Sequence, residues 1–147
     1  MGPFPHSAPK SVISPENPAG TDGFEFVEFA HPEPEELRSL FQRMGYVLTA
    51  RHKTKAVELW QQGDITYVLN AEPGSHAMRF VDEHGPCAPS MAWRVVDAAK
   101  ALAHAVSCGA TAYDGADKVL DVPAIVGIGG SLIYFIDQYG AANPYID

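Results

Sequence analysis

Cysteine is nearly absent and basic residues are scarce, and both shortages narrow what the chain can be. Cys87 and Cys108 are the two cysteines. Neither a C-x-x-C pair nor a Cys-rich framework surrounds them, so a disulfide scaffold is excluded and two reduced, partly buried thiols are expected. Ten Lys and Arg stand against 18 Asp and Glu, a net charge of −8. The ten are scattered, whereas a nucleic-acid or anionic-membrane surface needs clustered cations to displace counterions. No run approaches the roughly 18 apolar residues of a membrane helix. The stretch Met1 to Pro18 is rich in Pro and Ser and has no apolar signal-like core. These absences predict a cytoplasmic protein with no nucleic-acid and no membrane partner.

Histidine patterns that carry chemistry are missing as well. His6, His31, His52, His76, His84 and His104 form no H-x-H, H-E-x-x-H or H-x-E arrangement. His76 and His84, eight residues apart on a short helix, are expected to point in different directions. Ser90, Ser107 and Ser131 lack an elbow motif. Cys108 precedes Gly109, a helix-stopping residue, where a thiolate would face the wrong end of the dipole; a core role near the cap is expected for it. Gly127, Gly129 and Gly130 suggest a phosphate loop, but such loops aim a helix N-terminus at the anion. Here the β-branched and aromatic run Ser131 to Asp137 follows instead, so the glycines read as a bend or bulge entering a strand.

What is present is enough for one ordinary domain: 147 residues, 46% hydrophobic. Phe24 to Ala30 reads as a strand. A helix follows with Pro34 in its first turn, Glu33, Glu35 and Glu36 at the positive end of its dipole, and an apolar stripe of Leu37, Leu40, Phe41 and Met44. Gly45 ends it. Strands are predicted over Tyr46 to His52, Ala56 to Gln61 and Ile65 to Asn70, the last two joined through Gln62-Gly63-Asp64. A short helix spans about His76 to His84. Then come a strand Met91 to Val96, a helix capped by Asp97 with Ala98, Ala101, Leu102, Ala105 and Val106 on one face, and strands Thr111 to Asp114, Lys118 to Val122 and Ser131 to Asp137. The order βαβββ therefore appears twice. Arg51-His52-Lys53-Thr54-Lys55 reads as a solvated turn, and Trp60, Phe80, Trp93 and Tyr113 read as core.

Several phrases carry a further signal: Gly-Phe-Glu-Phe-Val-Glu-Phe-Ala at Gly23 to Ala30, Arg-His-Lys-Thr-Lys-Ala-Val-Glu-Leu-Trp at Arg51 to Trp60, Gln-Gly-Asp-Ile at Gln62 to Ile65, Glu-His-Gly-Pro at Glu83 to Pro86, Met-Ala-Trp-Arg-Val at Met91 to Val95, and Pro123 to Gly140. In this order and spacing the chain resembles the N-terminal domain of bacterial 4-hydroxyphenylpyruvate dioxygenases from about Asn17 to Gly140. The resemblance implies an α+β vicinal-oxygen-chelate module, two βαβββ units forming a half-open, curled mixed sheet with helices outside, as in glyoxalases and antibiotic-sequestering proteins. It implies a flexible tail over residues 1–20, the module over 21–140, and the start of a linker over 141–147.

The resemblance also allows a test of the site. Members with a metal use two His and one carboxylate on one face of iron, on the first, fifth and eighth strands of the module. Those positions fall here at Glu28, Met91 and Tyr134. A carboxylate with a thioether and a phenol suits no hard divalent metal, so no catalytic, cofactor or metal residue is expected in this chain. The resemblance implies that Fe(II) belongs to a C-terminal catalytic module, the partner of this one, where the whole enzyme converts 4-hydroxyphenylpyruvate and O₂ to homogentisate and CO₂ in tyrosine catabolism. The expected role of this chain is structural, packing beside that module and contributing to homo-oligomer contacts. A freestanding small-molecule binding module of the glyoxalase and bleomycin-resistance kind, or the matching part of a hydroxymandelate synthase or a fusion protein, are the other readings.

Overall fold

A computed structural model describes residues 9–140 and Tyr145, and the chain divides into two compact units. One comprises Phe26–Met91 with Gly115–Asp121; the other takes the described residues of Met1–Glu25, Ala92–Asp114 and Val122–Asp147. Strands β1 (Thr21–Ala30) and β5 (Cys87–Val95) each contribute one half to either unit.

The larger unit adds helix α1 (Pro34–Arg43), strands β2 (Val47–Arg51), β3 (Val57–Gln62) and β4 (Ile65–Asn70), and helix α2 (His76–His84). Its strands lie in the order β2-β3-β4-β1-β5. β3 and β4 form an antiparallel hairpin across Gly63, whose φ of +57° favours a residue without Cβ. β1 runs parallel to β4, with Glu28 opposite Val68. Proline opens α1 and Glu35 and Glu36 occupy its first turn; Gly45, at φ +90°, lets the chain turn so that the Tyr46 N–H donates to Phe41 O at 2.9 Å. Phe41, Tyr46, Trp60 and Leu69 form the buried cluster under that helix, with Tyr46 and Tyr67 stacked at 4.3 Å. Each such aromatic contact contributes about 1 kcal/mol beyond its buried area. Ser75 caps α2 by accepting the Met78 N–H at 3.2 Å, and Ala77 and Val81 pack with Ala30.

The smaller unit adds helix α3 (Ala98–Ser107) and strands β6 (Ala124–Val126) and β7 (Leu132–Ile136), in the strand order β1-β5-β7-β6. Asp97 caps α3 by accepting the Lys100 N–H at 2.9 Å. Val95, Ala98, Ala101 and Phe135 are its core cluster. Between β6 and β7 the chain makes a three-residue 3-10 turn, Ile128–Gly130, with Gly129 and Gly130 at positive φ. The glycine cluster thus bends into a strand, as its sequence indicates. A mixed sheet with helices is the expected fold class.

Several elements differ from expectation. Lys118 to Val122 is not a strand, and Thr111 to Asp114 is reduced to a single bridge from Ala112 to Ile125; the added strand is instead Ala124–Val126, pairing with β7. The second βα segment therefore has fewer strands after its helix than the first. In α1 only half of the expected stripe is covered: Leu40 and Met44 are 40% and 47% exposed. Val106 is likewise exposed on α3, and Cys108, expected in the core, is the exposed C-cap residue of that helix. Trp60 is buried as expected, but Phe80, Trp93 and Tyr113 are only half-buried. The N-terminal stretch expected as a flexible tail carries specific contacts: the Ser11 N–H donates to Asp22, and the Lys10 ammonium to the Asp137 carbonyl. The rest of the tail, residues 1–8, and the linker apart from Tyr145 lie outside the described residues.

Candidate functional site

Alternation along β1 carries Phe26, Glu28 and Ala30 to one face, and Glu28 is 1% exposed there. Two neighbours hold its carboxyl. Asn70, at the end of β4, donates Nδ2–H to Glu28 Oε1 at 2.7 Å, and the Ser90 hydroxyl from β5 donates to Oε2. The amide of Asn70 is fixed in turn, because its Oδ1 accepts the Glu72 N–H at 2.9 Å and only its NH₂ remains to face Glu28. Burial pushes the Glu28 carboxyl above the usual carboxylate range, against the lowering influence of the Ser90 and Asn70 hydrogen bonds and of His76. Burial, with Glu28 nearby, also raises the Cys87 thiol.

The site therefore presents one carboxyl, one amide and one hydroxyl. Among the described residues no group of three His, Cys, Asp or Glu side chains is arranged to hold a metal ion. These residues do not fit a two-His, one-carboxylate iron centre. The residue that meets Glu28 is Ser90, one before the expected Met91. Neighbouring strand residues face opposite ways, and Met91 is 37% exposed. Tyr134 lies on β7 in the smaller unit, fully buried. Sequence reasoning missed Asn70 and weighed Ser90 only as a serine without an elbow motif and as a neighbour of Met91 that would serve a metal no better; pairing the polar residues that end β4 and lie on β5 with the inward carboxylate of β1 is the signal that would have joined them to Glu28.

Other polar clusters have structural explanations. Glu58 is buried on β3. Burial alone would raise its carboxyl, but Arg38 at 3.0 Å and the Trp60 Nε1–H at 3.1 Å hold it below the ordinary range. In the smaller unit, Glu25 and Arg94 form a buried ion pair at 2.5 Å. The Tyr145 hydroxyl donates to Glu25 at 3.1 Å, and the Tyr139 hydroxyl to Asp22 at 2.6 Å. The histidines of α2 differ from expectation: eight residues are a little over two helical turns, and both rings flank Phe80, His76 at 5.9 Å and His84 at 4.3 Å. The turn Arg51 to Lys55 is largely exposed, with His52 Nδ1 accepting the Thr54 and Lys55 N–H groups. Among the described residues no helix is long and apolar enough to cross a membrane.

Comparison with known proteins places these observations. Residues 15–147 match the family described as hydroxyphenylpyruvate dioxygenase, HPPD, N-terminal. The chain is 47% identical over 138 residues to a 4-hydroxyphenylpyruvate dioxygenase of Pseudomonas aeruginosa, covering 90% of this chain and 39% of that protein. It is 47% identical over 134 residues to hemolysin VllY of Vibrio vulnificus, covering 88% and 38%. Among solved structures, a xylose isomerase-like TIM barrel/4-hydroxyphenylpyruvate dioxygenase fusion protein superimposes with a TM-score of 0.76 at 36% identity, over 88% of this chain and 20% of that one. The chain thus spans well under half the length of these relatives.

Proposed function

The chain belongs to the hydroxyphenylpyruvate dioxygenase N-terminal family and has its vicinal-oxygen-chelate fold, and from that membership we propose that it is the metal-free N-terminal module of a 4-hydroxyphenylpyruvate dioxygenase-like protein. Fe(II) and the conversion of 4-hydroxyphenylpyruvate to homogentisate belong, in this reading, to a C-terminal module that packs beside this one in a cytoplasmic homo-oligomer. The observation that carries it is the setting of Glu28: the sole carboxylate at the family's ligand positions is engaged by Asn70 and Ser90. A carboxyl committed to a buried amide and a hydroxyl, and pushed toward its neutral form by burial, is a poor ligand for a divalent cation.

Elemental analysis of the purified chain after anaerobic Fe(II) loading and desalting tests the reading. Iron well below one per chain is expected, together with oxygen uptake on 4-hydroxyphenylpyruvate equal to a buffer blank. Stoichiometric, chelator-resistant iron would overturn it. A second reading is supported by the fusion protein: the same module beside a different catalytic domain. The intact mass of the polypeptide that carries this module in its cell distinguishes the two.

A further inference from the structure

The larger unit contains a pocket of about 360 Å³ that the structural role does not use, open between the end of β4, the start of α2 and the 116–119 loop. We propose that it binds a small organic monocarboxylate with an apolar body. Its walls supply Val57, Pro73 and Val119, and two buried polar side chains, Asn70 and Ser75, also line it, at 1% and 6% exposure. The cationic residues of its lining are Lys55 and Lys118.

The charge pattern sets the ligand's sign. Both carboxylates of the lining are already engaged: Glu72 accepts the Ala56 N–H at 2.6 Å, and Asp117 is paired with Arg79. Lys55 is half-buried and, among the described residues, has no ion-pair partner. A cation held at an apolar-walled pocket is best completed by one carboxylate. The same two acids oppose a second negative charge, which disfavours phosphate and dicarboxylates. A volume near the lower end of the range for ligand sites excludes nucleotides. Asn70 lines the pocket, and its amide carries a second N–H beyond the one it gives Glu28.

The test is a two-dimensional NMR titration of the whole chain with phenylacetate, using 2-phenylethanol as the uncharged match and inorganic phosphate as the apolar-free anion. Saturable shifts centred on the Asn70 side-chain amide, Ser75 and Val119 are expected with phenylacetate alone. Lys55→Met, a substitution of a half-exposed side chain, should weaken the dissociation constant by about tenfold while leaving the remaining spectrum in place. If that variant does not fold, Lys118→Met provides the same readout. Absence of saturation at these residues, equal binding of the alcohol or of phosphate, or undiminished affinity in a folded lysine variant would each overturn the proposal. Failure here would leave the module's structural role untouched, because iron content and oxygen uptake are measured separately.

Discussion

Replacing Arg94 by Met should destabilise the module more than any surface substitution, because it strands Glu25. The two side chains are 14% and 6% exposed and meet at 2.5 Å, so the pair is shielded from water and from salt. Removing one partner of a buried pair leaves an uncompensated charge and costs about 3–5 kcal/mol. The Tyr145 hydroxyl, donating to Glu25 at 3.1 Å, softens this, which favours the low end, about 3 kcal/mol. For a domain of this size that lowers the unfolding midpoint by about 10 °C. Urea unfolding followed by circular dichroism measures the loss, and the double variant Glu25→Leu with Arg94→Met provides the control. With both charges gone the double variant should recover to within about 1 kcal/mol of the parent, since apolar replacements of buried pairs are often neutral. A loss below about 0.5 kcal/mol in the single variant, the behaviour of a solvated pair, would refute the reasoning.

Three further outcomes are expected. Glu28 has its pKa raised by burial, so its stabilising contribution is greatest below the unfolded-state pKa and is lost as pH rises through the folded-state value; the stability of the parent relative to Glu28→Gln should fall with rising pH, and a pH-independent difference between the two unfolding curves would contradict the assignment. Phe41→Ala opens a hole beneath α1 against Tyr46, Trp60 and Tyr67 and should cost about 3–5 kcal/mol by chemical denaturation, whereas Leu40→Ala on the exposed side of the same helix should cost under about 1 kcal/mol. The isolated chain should self-associate as concentration rises, because Phe24, Val47, Ile65 and Ile128 are each more than half exposed; a monomer by light scattering at all concentrations, with no binding of a hydrophobic dye, would count against a module built to be covered.

Helices and the first hairpin were legible because their signals are local. Asp97 ahead of an apolar stripe and Gln62-Gly63-Asp64 between two strand-like runs need no knowledge of distant residues, and the bounds expected for β4 and α2 are those observed. The second set of strands was not, because strand formation depends on a partner. Lys118 to Val122 has strand-like composition, yet the residues that meet β7 are Ala124–Val126, and the Pro123 carbonyl accepts the Phe135 N–H at 2.9 Å. Glu28 was recognisable as an inward carboxylate from the family resemblance. Its company was not, since Asn70 and Ser90 lie 42 and 62 residues away, and a register displaced by one residue points to Met91 instead of Ser90.

The hydrogen bond from Tyr145 to Glu25 joins residues 120 positions apart, so a late residue of the chain is held on its first strand. Closing a long loop costs entropy that grows only slowly with its length, and Tyr139, donating to Asp22, already closes one of nearly the same span. The second closure is therefore added at little further entropic cost. Tyr145→Phe would open that closure alone, a local loosening that hydrogen exchange would register without global unfolding.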